Sequence, residues 1–341
     1  MSDIAAPARG VRSIAVFRAL RLGDMLCAVP ALRALRAGFP HARITLVGLP
    51  WAESFARRFR HYIDHFMAFP GHPELPEQPV RKNEIGRFYR TMRLCRFDLA
   101  VQLHGDGRIS NSIVESFGAR SLAGFRGGPV PTAPAGRFLP YPQHGQESER
   151  LMRLAAFLGM PTRDACLEFP LGPADHGELA ASGLPAAIGG RPYLCVHPGA
   201  SSRAKCWPPE CFAGVADALA GESGARIVLT GSAEEQDIVA AVAARMAHPA
   251  VEAAAPFSIG ALAALMSGAR LVVCNDTGVS HVAAGLRLPS VVVFSNSDIE
   301  RWAPLDSRLH ASVWQPGRRG AWVVLHHARR LLRSASSWKA S

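Results

Sequence analysis

Short apolar runs of strand length alternate with stretches of helical periodicity along this 341-residue chain, and that alternation leaves few folds open. Runs that are apolar on both faces suit parallel strands, and parallel strands need helical crossovers between them. In the first half, residues 13–19 (SIAVFRA) and 43–50 (RITLVGLP) read as strands. Between them Leu26, Val29, Leu32, Leu35 and Phe39 mark one helix face. Pro30 falls inside that helix and removes a backbone donor, so its first turn is kinked or not yet regular helix. A further strand is expected at 97–105 (FDLAVQLHG), whereas the Pro- and Gly-rich stretches 71–79 and 127–146 read as surface loops. In the second half, a helix at 147–159 precedes a linker at 172–192 that holds a short helix. Strands at 193–197, 225–230, 271–275 and 290–294 then alternate with helices near 208–220, 233–247, 258–268 and 277–287. The expected fold class is α/β, with two Rossmann-like, doubly wound parallel-sheet domains. Residues 1–170 form the N-terminal domain and 190–320 the C-terminal one. A basic amphipathic helix at about 321–337 is expected to fold back onto the N-terminal domain. Two such domains are expected to face a central cleft, because ligands of open α/β sheets bind beyond the carboxyl ends of the strands.

Charge narrows the partners. The chain carries 38 basic and 27 acidic side chains, a net +11, and the surplus is uneven: residues 1–170 hold 23 basic against 14 acidic, and residues 171–341 hold 15 against 13. A field of this kind favours an anionic partner, whether nucleic acid, a phosphorylated substrate or an acidic membrane surface. The plain alternative is a solvated surface rich in arginine. Aromatic residues form no stacking series and the arginines are dispersed, which argues against nucleic acid. No run of about 18 apolar residues suits a membrane span. The opening MSDIAAPARGVRS has no secretory apolar stretch, and seven scattered cysteines fit a reduced, cytoplasmic protein. Lysine is rare, limited to Lys82, Lys205 and Lys339, so a lysine within a motif stands out.

Four segments carry chemistry, each where a strand gives way to a helix. In LVVCNDTGVSHVAAGL (271–286), Asp276, Thr277 and Gly278 turn into a helix whose first turn holds Ser280 and His281. A helix N-terminus attracts phosphate through its backbone N–H groups and dipole. Hydroxyl and imidazole donors add to it, and Gly278 permits close approach. A capping role for Asp276 or Thr277 would explain one polar residue but not four. In VHPGASSRAKCWP (196–208), a Ser-rich loop with Ser201 presents Lys205 ahead of Trp207 and Pro208. There it can neutralise a diphosphate as a point charge or simply be solvated. In LTGSAEEQ (229–236), Thr230 and Gly231 lead to Glu234 and Glu235, which either hold ribose hydroxyls or favour a helix start. In RALRLGDMLCAVPALRAL (18–35), Arg21 and Gly23 precede Asp24, a carboxylate that is either a helix cap or a base for a substrate hydroxyl. Cys206 and Cys211 lack a second pair, so no metal site is expected. His326 and His327, in the C-terminal helix, read as structural. Dinucleotide, P-loop and nucleophile-elbow signatures are absent.

These segments, in this order, resemble the bacterial heptosyltransferases of glycosyltransferase family 9 over nearly the whole chain. The resemblance rests on Gly23, Asp24, Pro30 and Pro40, on Lys205, Trp207 and Pro208, on Asp276, Thr277, Gly278 and His281, and on Arg301, Trp302 and Pro304. Cys27-Ala28 departs from the Thr often seen before the proline. Alanine at position 233 departs from an acidic residue, a role carried here to Glu234 or Glu235. The resemblance implies a GT-B fold and metal-independent, inverting transfer of heptose from ADP-heptose to the Kdo/heptose inner core of lipopolysaccharide. Asp24 is then the general base, with Arg21 and Gly23 on the acceptor side. Ser201, Lys205, Thr230, Gly231, Glu234, Asp276, Thr277, Gly278 and His281 bind the donor. No cofactor is implied, since the ADP-sugar is a substrate. The implied partners are that nucleotide-sugar donor and an anionic glycolipid acceptor, met at the inner face of the cytoplasmic membrane, with no nucleic acid. A nucleotide-sugar epimerase on the same fold, or a transferase using another donor, is the alternative.

Overall fold

The structure is a computed structural model that describes residues 10–128, 136–254, 258–315 and 320–338. Residues 1–9 of the opening segment, 129–135 of the expected 127–146 loop, and Lys339 lie outside the described residues. The chain divides into two units, Met1–Ala165 and Cys166–Ser341.

The first unit is a parallel sheet of β1 (Ser13–Phe17), β2 (Arg43–Gly48), β3 (His65–Ala68), β4 (Leu99–Gln102), β5 (Ser121–Arg126) and β6 (Gly136–Pro140), in spatial order β3-β2-β1-β4-β5-β6. The second unit repeats the plan with β7 (Tyr193–His197), β8 (Arg226–Gly231), β9 (Ala250–Ala254), β10 (Val272–Asn275), β11 (Ser290–Phe294) and β12 (His310–Trp314), ordered β12-β11-β10-β7-β8-β9. Central strands such as β10 and β11 are buried along their whole length, which is why they read as unbroken apolar runs. Each unit is thus a doubly wound, Rossmann-like parallel sheet, as expected.

Pro30 acts as expected. Helix Leu22–Cys27 ends before it, Ala28 is the junction, and a second helix, Val29–Gly38, starts with the proline in its first turn, where no donor is lost. Three expectations need correcting. The 127–146 stretch holds strand β6, an edge strand with mostly exposed residues. The 172–192 linker belongs to the second unit. Its helix Pro173–Ala181 lies on helix Ile259–Ser267, and the Glu178 carboxylate accepts from Ser258 N and Oγ, each at 2.6 Å. The chain enters this unit across Gly285, where a Cβ would sit 2.9 Å from the Glu168 carbonyl carbon.

The third correction concerns the C-terminal helix, Ala321–Trp338. Its stripe of Val324, Ala328, Leu331 and Leu332 is buried with Val291, Val293, Ala311 and Val313 of β11 and β12. The helix covers the second unit's own sheet, and Arg329 pairs with Glu222 on helix Pro209–Ser223. The expectation placed this helix on the N-terminal domain; its apolar stripe at i, i+4, i+7 and i+8 is instead buried in the core of its own unit. Among the described residues no helix is long and apolar enough to cross a membrane.

Candidate active site

In both sheets the chain changes winding direction between the first and fourth strands of the unit, and a doubly wound sheet binds ligands in the loops leaving those two strands. In the second unit these are the loops after β7 and β10. Asn275, fully buried at the end of β10, joins them: its Oδ1 accepts from Trp207 N at 2.9 Å, and its Nδ2 donates to Pro198 O at 2.8 Å and Gly199 O at 3.2 Å. Trp207 anchors the loop from below, fully buried and edge-to-face with Phe212. The loop is thereby held at both ends, and Lys205 is presented between them. Its Nζ lies 3.5 Å from Asp276 Oδ2, with Asp276 at 6% and Lys205 at 30% side-chain exposure. The ammonium is pinned at the strand ends yet stays open to solvent on one side.

Thr277 is the N-cap of helix Gly278–Gly285, but its side chain makes no capping bond. Thr277 and Gly278 are half-buried, so the turn retains an accessible face. Ser280 is turned inward, its hydroxyl donating to Thr277 O at 2.7 Å. His281 is buried edge-to-face against Trp302, whose ring is also covered by the Arg301 guanidinium. Asp276 and Lys205 are thus directly paired beside the Thr277 turn.

The third segment is arranged differently from the expectation. Thr230 is fully buried and its hydroxyl meets His197 Nδ1 at 3.1 Å; Gly231 is buried where a Cβ would sit 2.9 Å from Val239 Cγ2. These two residues pack β8 against its neighbours and do not face an open surface. Glu234 is exposed, whereas Glu235 reaches the loop after β7, with Oε2 3.7 Å from His197 Nε2. A Cβ on Gly199 would lie 2.1 Å from Glu235 Oε1, so only glycine fits beside that carboxylate. Of the two carboxylates at this turn, Glu235 is the one that reaches the loop after β7. Burial pushes the His197 imidazole below its ordinary value, opposed by the Glu235 carboxylate. Ser201 is exposed on the Lys205 loop.

In the first unit the corresponding loops follow β1 and β4. Asp24 is half-buried in the first turn of helix Leu22–Cys27, next to half-buried Gly23, with Arg21 exposed at the N-cap. Arg18, 1% exposed, lies beneath this turn. Beside it His104 stacks on Phe17 and accepts from Ala19 N through Nδ1 at 3.2 Å. The proton of this neutral ring is consequently on Nε2. Burial, with Arg18 adding to it, pulls the His104 pKa down from 6.5 to about 3. In the second unit, burial pulls His310, bonded to Ser290 Oγ, down to about 4.

Both histidines stay neutral in the folded chain, while their unfolded counterparts take up protons below about pH 6.5. Their contribution to stability is complete above that pH and is lost as the pH falls from 6.5 towards 4, by about 1.4 kcal/mol per pH unit for each group. Denaturant midpoints at pH 7, 6 and 5 are expected to fall in that order, and His310→Asn should flatten the slope. A midpoint constant between pH 7 and 5 would contradict this.

Residues 85–318 match the family Glycosyltransferase family 9 (heptosyltransferase). The chain belongs to glycosyltransferase family 9. Lipopolysaccharide heptosyltransferase 3 of Escherichia coli is 24% identical to this glycosyltransferase over 311 residues, 84% of each chain. Among solved structures, the glycosyl transferase family 9 protein of Veillonella parvula superposes with a TM-score of 0.82 at 20% identity, covering 98% of this chain and 100% of that one. The E. coli ADP-heptose lps heptosyltransferase II does so with a TM-score of 0.73 at 20% identity, covering 95% and 99%. These likenesses agree with the GT-B fold of the family 9 chain. Arg18, His104, His197 and Asn275 are site-building residues that motif reading passed over. Each sits within two residues of a strand's carboxyl end, the one signal that marks them.

Proposed function

We propose that this family 9 glycosyltransferase moves a heptose from ADP-heptose to the inner core of lipopolysaccharide, with inversion at the anomeric carbon. The observation that carries the reading is the Lys205–Asp276 pair beside the uncapped Thr277 turn. A half-exposed ammonium next to a helix N-terminus suits the diphosphate of a nucleotide sugar. The names of the relatives, lipopolysaccharide heptosyltransferases, supply the sugar and acceptor class.

The acceptor hydroxyl oxygen attacks the anomeric carbon of the donor as the bond from that carbon to the diphosphate breaks, from the opposite side, which inverts the configuration. Asp24 takes the hydroxyl proton, and ADP leaves with the bonding electron pair. Lys205 and the N–H groups at Thr277 and Gly278 stabilise the charge that grows on the diphosphate, so the reading requires no metal ion. Asp276, itself anionic, serves by holding Lys205, and Glu235 takes the place of Glu234 on the donor side. The basic surplus of residues 1–170 suits a phosphorylated glycolipid acceptor at the inner face of the cytoplasmic membrane.

The test is incubation with ADP-heptose, with and without a heptose-free core acceptor. Release of ADP only when acceptor is present, with a heptose added to the acceptor by mass spectrometry, is the expected outcome. Isomerisation of the sugar without acceptor would instead establish an epimerase.

A further inference from the structure

We propose that Arg18 is a positioning residue for the transfer reaction, acting with Glu147 as a buried charged clamp that sets the Asp24 turn. The inference rests on the reading of Asp24 as base. No motif pointed to either residue; the reasons are geometric. Arg18 is 1% exposed and directs its guanidinium at three separate pieces of chain. Nε donates to the backbone carbonyl of Asp24 at 2.9 Å, Nη1 to the carbonyl of Leu103 just beyond β4, and Nη2 to Glu147 Oε1 at 3.1 Å. Glu147 is the first residue of helix Glu147–Phe157 and is itself 2% exposed.

Three features mark this as more than packing. The helix that carries Asp24 has only six residues and is interrupted at Ala28, whose N–H donates to Met25 O, three residues back. Such a helix has little stiffness of its own, so external ties decide where its first turn sits. Second, the Arg18 fork spans both loops of the switch point, after β1 and after β4, and a second tie between them runs from Ala19 N to the His104 ring. Third, a buried ion pair is a poor source of stability, since desolvating two charges offsets their attraction, and well-packed apolar residues often do as well. Its value here is geometric. A planar five-donor fork reaches three acceptors at once, which lysine's point charge cannot do. Displacing a reacting group by about 1 Å is enough to cost on the order of 10²-fold in rate.

Removing one member of a buried ion pair alone is strongly destabilising, so the informative variant replaces both, as Arg18→Met with Glu147→Leu. We expect it to keep its thermal midpoint within a few degrees of the parent, to bind ADP as the parent does, and to lose about 10²-fold in kcat. Arg18→Lys, which keeps the charge but not the fork, should fold and lose about 10-fold in kcat with donor KM unchanged. A double variant, or Arg18→Lys, that is stable and turns over at the parental kcat overturns the clamp while leaving the Asp24 reading intact. Loss of kcat only in step with loss of thermal midpoint and ADP binding reduces the pair to a structural role and also overturns it. If the parent itself shows no acceptor-dependent ADP release, the proposed function is what has failed.

Discussion

Asp24→Asn is expected to lower the kcat of acceptor-dependent transfer by about 10³-fold, within the range seen when a general base is removed. The substitution keeps the side chain's size and its place in the first turn of Leu22–Cys27, so the fold has no reason to change. What it removes is the capacity to accept a proton: a carboxylamide cannot take one from an alcohol at neutral pH. Asp24 lies in the first unit, whereas Lys205, Asp276 and Thr277 lie in the second, so ADP affinity should stay within about twofold while turnover collapses. Calorimetric titration with ADP beside steady-state rates separates the two quantities. Near-parental turnover by the variant would remove Asp24 from the mechanism. A parallel loss of ADP affinity would instead mean that the substitution disturbs more than proton transfer.

How much of this was legible in the sequence follows from burial and from separation along the chain. Strands β1, β2, β7, β8, β10 and β11 lie mainly inside their sheets and are apolar on both faces, so their runs are visible without a structure. The edge strands β3, β6 and β9 are half-exposed and carry His65, Arg137 and Glu252, which erases the apolar run. Strand β5 is interior yet contains Gly124, where a Cβ would stand 2.8 Å from the Gln102 side chain; the glycine that makes room for that neighbour also weakens the run. The site divides the same way. Asp276, Thr277 and Gly278 are consecutive and Lys205 sits in a compact motif, so local reading finds them. Arg18 meets Leu103 and Asn275 meets Pro198 across 85 and 77 residues, and no local pattern encodes either meeting. Glu234 and Glu235 show the limit most sharply. They are adjacent and chemically identical, and only the capping bond from Ser232 N to Glu235 Oε2 at 2.8 Å, with the space left by Gly199, selects the second.

Lys205→Ala is the other substitution with a large expected effect, a fall in kcat/KM of about 10²- to 10³-fold, comparable to deleting a donor that stabilises developing charge. Two consequences act in the same direction. The diphosphate loses the ammonium that neutralises it, and Asp276, at 6% exposure, loses the cation 3.5 Å away. An unpaired carboxylate then faces an anionic ligand, so the single variant should bind ADP worse than loss of the attraction alone would explain. Adding Asp276→Asn to Lys205→Ala removes that repulsion, and the double variant should regain about 10-fold in ADP affinity over Lys205→Ala alone, a non-additivity expected of residues in direct contact. Asp276→Asn by itself should weaken ADP only moderately, because the lysine remains on its loop, held through Trp207 N and Asn275 Oδ1. Lys205→Arg keeps the charge on a longer planar group, and should restore ADP affinity more fully than turnover, since the leaving diphosphate needs the charge at one point. Rates and ADP affinities measured for the parent, Lys205→Ala, Asp276→Asn and the double variant give the complete cycle. Strict additivity between positions 205 and 276, or Lys205→Ala within threefold of the parent, would show that the diphosphate is gripped elsewhere.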